Sequence, residues 1–106
     1  MIYDLRVYEH ADGKGEAVTE RFLKEVVKRF PDHGIELVGV FTDRETGRLT
    51  YLTRYENEDA RLKAWDSFVN DPDWKAVKAA SEPDGPLVAK SHTSVLLPLL
   101  DGLPNS

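Results

Sequence analysis

Leu49-Thr50-Tyr51-Leu52-Thr53-Arg54-Tyr55 runs directly into Glu56-Asn57-Glu58-Asp59-Ala60-Arg61. The first seven residues, with their β-branched and aromatic side chains, predict a strand. Asn57 is a favoured N-cap residue. Glu58 and Asp59 after it put negative charge in a first helical turn, where the helix dipole favours it. A strand therefore ends at a helix start. One side of that strand carries Tyr51, Thr53 and Tyr55, a polar-aromatic face that an ordinary solvent-facing strand does not need.

Upstream, residues 36–43 hold Leu37, Val38, Gly39, Val40 and Phe41. They are apolar on both faces, so the reading is a strand buried on both sides. The polar run Asp43-Arg44-Glu45-Thr46-Gly47-Arg48 fits a hairpin joining it to the opening strand. Before that the period changes: Val18, Phe22, Val26 and Phe30 recur every fourth residue, with Leu23 and Val27 widening the stripe. Glu20 with Lys24, and Glu25 with Arg29, are favourable i,i+4 pairs on the opposite side. An amphipathic helix is predicted over residues 15–30, stopped by Pro31. Residues 2–9 alternate. Tyr3, Leu5 and Val7 point one way, and Ile2, Asp4, Arg6 and Tyr8 the other, which predicts a first strand.

Downstream, Ala60, Ala64, Trp65 and Phe68 form a helical stripe. Asp71-Pro72 supplies an N-cap and N1 pair that restarts a helix carrying Trp74, Val77 and Ala80. Residues 87–97 alternate again as a last strand. The tail over residues 98–106, with Leu99, Leu100 and Leu103, is too short to fold alone and is expected to pack across a neighbour. The order β-α-β-β-α-β predicts an α+β, ferredoxin-like domain over residues 1–106, with two helices on one face of a four-stranded antiparallel sheet. The other face is expected to keep Val, Tyr, Leu and Phe side chains alongside Arg6 and His92, which predicts a second copy of the chain as partner. Two such sheets facing each other would enclose a barrel-like interior.

The 106 residues and 12.0 kDa suit one domain with a real core. Fourteen Lys and Arg against 19 Asp and Glu give a formal charge of -5, which disfavours nucleic acid as a partner. No apolar run approaches a membrane span, and no signal peptide is visible, so a cytoplasmic protein is expected. Without cysteine there is no thiolate nucleophile and no sulfur-ligated zinc.

The chain resembles the NIPSNAP family, a branch of the dimeric α+β barrel superfamily. The residues that carry the likeness are Ile2-Tyr3-Asp4-Leu5-Arg6-Val7-Tyr8, Gly13-Lys14, Leu37-Val38-Gly39-Val40-Phe41, Arg54-Tyr55 with Ala60-Arg61, Asn70-Asp71-Pro72-Asp73-Trp74, and Ser94-Val95-Leu96-Leu97-Pro98-Leu99. The resemblance implies a homodimer with a central cavity and implies little chemistry. The chain departs from it in the third strand, where Tyr51 and Thr53 stand in place of a histidine and a tryptophan.

Arg6 reads either as the partner of Asp4 in an ion pair or as a cavity guanidinium able to hold a carboxylate, enolate or carbonyl oxygen. Tyr8, Tyr51, Thr53 and Tyr55 read as the cavity wall, with cross-strand aromatic packing as the plainer alternative. His92 is the candidate for moving protons, against a structural or solvated role. His10, His33 and His92 show no metal-ligand spacing, and no metal or cofactor is expected. His33 reads as decoration of a loop or a helix end, and Trp65 and Trp74 as core or dimer-contact anchors. The expected function is binding of a small apolar, oxygen-bearing molecule, with or without its cofactor-free transformation. The alternative is a non-catalytic homodimeric interaction module.

Overall fold

A computed structural model describes residues 1–100. Four strands form one antiparallel sheet: β1 (Ile2–His10), β2 (Glu36–Thr42), β3 (Leu49–Tyr55) and β4 (Val88–Leu96), in the order β2-β3-β1-β4. Helices α1 (Gly15–Arg21), α2 (Glu58–Val69) and α3 (Pro72–Ser81) cover one face. The predicted ferredoxin-like α+β arrangement is the one observed.

The registers decide which side chains share a face. Arg6 lies opposite Tyr51 on β3 and Thr93 on β4, and Asp4 opposite Thr53 and Val95. By the two-residue period, Asp4, Arg6, Tyr8, Tyr51, Thr53 and Tyr55 all face the helices. Tyr3, Leu5, Val7, Leu52 and His92 face the other way. The third-strand tyrosines are therefore walls of the helix-side core, and not of a space between two sheets.

The local signals hold at the caps. Asn57 accepts the Ala60 N–H at 2.9 Å, and Asp71 accepts the Asp73 N–H at 2.8 Å just before Pro72. In the β2–β3 hairpin, Asp43 accepts the N–H groups of Glu45 and Thr46 at 2.8 and 2.9 Å. Gly47 there takes φ +73°, a left-handed conformation that costs glycine little.

Three expectations are corrected. The helix predicted over residues 15–30 is α-helical only to Arg21. It widens to a π turn over Phe22–Val26, where Val27 N–H bonds Phe22 O at 3.1 Å, and ends in a 3₁₀ turn over Phe30–His33. The reason lies in the spacing. A strict four-residue repeat drifts by about 40° per step around an α-helix, and a wider turn returns it to one face. Val18, Phe22, Val26 and Phe30 are all buried as a result, while Leu23 is 55% exposed instead of widening the stripe. Second, β2 is an edge strand with a bulge between Leu37 and Gly39, and Phe41 is 62% exposed. Its apolar residues on both sides reflect an uncovered sheet face, not burial in the middle of the sheet. Third, His33 is no decoration. Its ring nitrogens reach Ser67 Oγ at 2.6 Å and Asp71 Oδ2 at 2.8 Å, tying the 3₁₀ turn to the α2–α3 junction.

The tail residues Leu97, Leu99 and Leu100 are largely exposed, and Leu103 lies outside the described residues.

Candidate ligand-binding site

A cavity of about 250 Å³ lies between the sheet and the helices. Its floor is Arg6 and Tyr8 from β1 and Tyr51 from β3; Phe22, Trp65, Phe68 and Trp74 supply aromatic walls from the turn after α1 and from α2 and α3. Exposed Lys78 and Ser91 stand at the rim. These residues meet because the helices lay their apolar stripes on the sheet. Phe68 stacks on Trp74 at 5.2 Å between centroids, and Phe22 packs on Tyr51 at 4.6 Å.

The polar end of the cavity is built around Asp4, which has no exposed surface. Arg6 grips it with two bonds, Nε to Oδ1 at 2.9 Å and Nη2 to Oδ2 at 3.2 Å. Arg61 Nη1 donates to Oδ2 at 3.0 Å and also pairs with Glu58. A buried carboxylate is tolerated only with such partners, because its charge is otherwise stranded in a low dielectric. The Arg6 guanidinium lies 3.8 Å from the centre of the Trp65 ring, a cation–π placement that holds it flat against the wall. Burial works to lower the Arg6 pKa, but the hydrogen bond it donates to Asp4 and the neighbouring charges outweigh it, and the net shift is upward.

Tyr8 and Tyr51 join hydroxyls at 2.6 Å, and burial raises both above the ordinary phenol value. Tyr55 bonds Thr53 Oγ1 at 2.9 Å, and burial pushes its hydroxyl up to about 12 against that bond. All three phenols are thus kept protonated at neutral pH. At the far wall Arg21, 5.3 Å from the Trp74 ring centre, donates to Ser81 and Glu82 at 3.0 and 2.9 Å. Burial works to raise the Glu82 carboxyl, yet Arg21, the Leu87 N–H and Lys78 together hold it below the usual range.

Of the six residues singled out in the sequence, Arg6, Tyr8 and Tyr51 meet at this cavity. Thr53 and Tyr55 face the same side of the sheet but are buried beside it, bonded to each other. His92 points to the opposite sheet face, where its Nε2 bonds Glu9 and where Glu9 also takes Arg48 Nη2 at 3.2 Å. One chain therefore does not bring His92 and Arg6 into a common pocket. The expected Arg6–Asp4 pair is present, though buried and not on a wet edge. Sequence reading missed Arg21, and it took Trp65 and Trp74 only as packing anchors. The signal available was that the chain's two tryptophans fall on consecutive predicted helices.

A wider groove of about 740 Å³, more open to solvent, runs between α1 and the β2–β3 hairpin past His10, Glu16 and Lys24. The His10 ring packs between Gly15 and Gly47, and a Cβ on Gly15 would sit 3.3 Å from it. It lacks the aromatic walls and convergent polar end of the inner cavity.

The NIPSNAP family model matches residues 3–101. The chain belongs to the NIPSNAP family. An uncharacterized NIPSNAP domain protein from Burkholderia xenovorans superposes with a TM-score of 0.80 at 17% identity, over 97% of this chain and 99% of the other. A NIPSNAP family protein from Agrobacterium tumefaciens gives 0.81 at 20% identity, over 99% and 98%. More distantly, a putative antibiotic biosynthesis monooxygenase from Nitrosomonas europaea gives 0.67 at 11% identity, over 94% and 100%, a likeness of fold alone. None of the curated proteins matches the chain. The residues at the cavity, rather than these likenesses, must carry any statement about this NIPSNAP protein's chemistry.

Proposed function

We propose that this protein binds a small, largely apolar, oxygen-bearing molecule in the cavity between its sheet and helices, and that it works as a homodimer joined through the open sheet face. The observation that carries the binding reading is the combination of aromatic walls with a polar end made by Arg6, Tyr8 and Tyr51. Ligand sites are typically concave and apolar with a few placed polar groups, and this cavity has that composition at a volume just below the usual range. Arg6 and the two phenols orient the ligand's oxygen. Thr53 and Tyr55 stiffen the strand behind them.

For the dimer, the supporting feature is the face carrying Leu5, Val7, Leu52 and Phe41, which no helix among the described residues covers. His92 and Glu9 sit at its margin, so a proton-moving role for His92 would act at the junction of two copies and not beside Arg6.

The two tryptophan indole N–H signals in a ¹H–¹⁵N spectrum report on the cavity directly, since Trp65 and Trp74 both line it. Titration with small aryl ketones and acids should shift both signals in a saturable way. Saturable shifts confined to the open sheet face, or none at all, would remove the ligand reading and leave the alternative of an interaction module. Light scattering should give twice the 12.0 kDa chain mass, and Leu52→Glu, opposite Leu5 in mid-sheet, should return it to one chain. A single-chain mass for the unaltered protein at micromolar concentration would end the dimer proposal.

A further inference from the structure

The polar groups around the cavity are unbalanced: donors are in excess and acceptors are taken. Arg6 has five N–H groups. It gives one from Nε and one from Nη2 to Asp4, and the rest have no partner among the described residues. Among the described residues Arg21 bonds through Nη1 only. The carboxylates nearby are occupied. Asp4 accepts from Arg6 and Arg61; Glu82 accepts from Arg21 and the Leu87 N–H on one oxygen and from Lys78 on the other.

The tyrosine pair tips the same way. Two phenols sharing one hydrogen bond have one hydrogen left over. Tyr51 is fully buried, so a leftover hydrogen there would be an unsatisfied buried donor. Tyr51 is therefore the donor, and the partly exposed Tyr8 keeps its own O–H for the cavity. Arg6 and Tyr8 stand two residues apart on one strand and so present their heads side by side. Charge follows the same sign. Arg6, Arg21 and Lys78 line the cavity with one lining carboxylate, Glu82, while the buried Asp4 behind Arg6 is shared with Arg61, in a chain whose formal charge is -5. Ser91 at the rim adds a hydroxyl that can give or accept.

We propose that the ligand is a flat carboxylic acid, bound as its carboxylate. One or both carboxylate oxygens take the free N–H groups of Arg6 and the O–H of Tyr8, while the conjugated body lies against Trp65 and Trp74. This rests on the cavity being the ligand site. Its volume equals about eight waters at roughly 30 Å³ each, which limits the acid to about one or two rings.

Isothermal titration with 2-naphthoate and its neutral isostere 2-naphthamide tests the assignment. The acid should bind at least about tenfold more tightly than the amide. Tyr8→Phe, which keeps the ring and removes the free hydrogen, should weaken the acid by about tenfold and the amide by no more than about threefold. Arg6→Gln should abolish the preference for the acid, provided its circular dichroism stays native; Tyr8→Phe decides the matter if it does not. An amide that binds as well as the acid overturns the carboxylate assignment and leaves the cavity reading standing. Binding of the acid that Tyr8→Phe does not weaken overturns it as well. If neither compound binds and neither indole signal moves, both readings fall.

Discussion

The two faces of the one sheet are built from alternate residues of the same strands, yet they solve opposite problems. On the helix side, Asp4, Arg6, Tyr8 and Tyr51 are polar groups in a covered place. Asp4 and Tyr51 are fully buried there, and each has partners. On the open side, Leu5, Val7, Leu52 and Phe41 are apolar groups in an uncovered place, with charges such as Glu9, His92 and Arg48 paired at the margin. The comparison teaches that alternate residues of the same strands can bury a paired polar network on one face and leave apolar side chains uncovered on the other. Under the proposed function the first face takes the small molecule and the second the partner chain.

The sharpest way to break this comparison is Asp4→Ala. It leaves Arg6 without its anchor and should cost about 3–5 kcal/mol, read as a fall in the urea midpoint. A loss below about 1 kcal/mol would mean that the network is wet and not a buried core feature.

A matched pair of phenylalanines comes next. Phe22→Ala, under the helices, should destabilise by about 3–5 kcal/mol, because it opens a cavity in close-packed surroundings. Phe41→Ala, on the open face, should change the folding of one chain by less than about 0.5 kcal/mol while shifting sedimentation toward the single chain. Equal folding costs at the two positions would erase the distinction.

The phenols give a smaller, pH-dependent difference. Tyr8, Tyr51 and Tyr55 are raised in the folded state by burial, Tyr55 to about 12. Above the ordinary value of 10.0 the unfolded chain loses these protons first, so the unfolded state binds fewer and stability falls as pH rises from about 10 toward 12. Tyrosinate absorbance should appear together with unfolding rather than before it. Tyr51→Phe should make the alkaline fall shallower.

The smallest effect belongs to the margin of the open face. His92 bonds Glu9 and holds its carboxyl below the usual 4.5. A depressed carboxylate stabilises the fold above its unfolded pKa, and that contribution disappears as pH drops through the lower folded value. His92→Gln should leave the neutral-pH midpoint nearly unchanged and flatten the slight acid decline. A large neutral-pH loss would assign His92 a structural weight that its exposed position does not suggest.

Much of the fold was legible because its signals are local. The alternation of residues 2–9, the Asn57 and Asp71 caps and the Gly47 turn depend on each residue's own conformational preferences, and each stands where the sequence placed it. Legibility ended where a long-range packing choice intervened. The repeat Val18-Phe22-Val26-Phe30 announces a buried stripe, but only contact with Tyr51 and Phe68 makes a π turn the way to keep it on one face. Strand β2 reads as fully buried because hydropathy reports apolar character and not what covers it.

The candidate site divides in the same way. By itself the sequence determined that Arg6 and Tyr8 share one face of β1, that Tyr51, Thr53 and Tyr55 share one face of β3, and that Trp65 and Trp74 lie on helical stripes. Period is a property of the chain alone. Only the tertiary structure decided that both strand faces turn toward the helices, that Trp65 lies against Arg6 while Arg21 and Trp74 line the same cavity, and that His92 stands on the other side. Which of two faces a strand buries depends on pairing register and helix placement, and both are set by contacts between residues far apart in the chain.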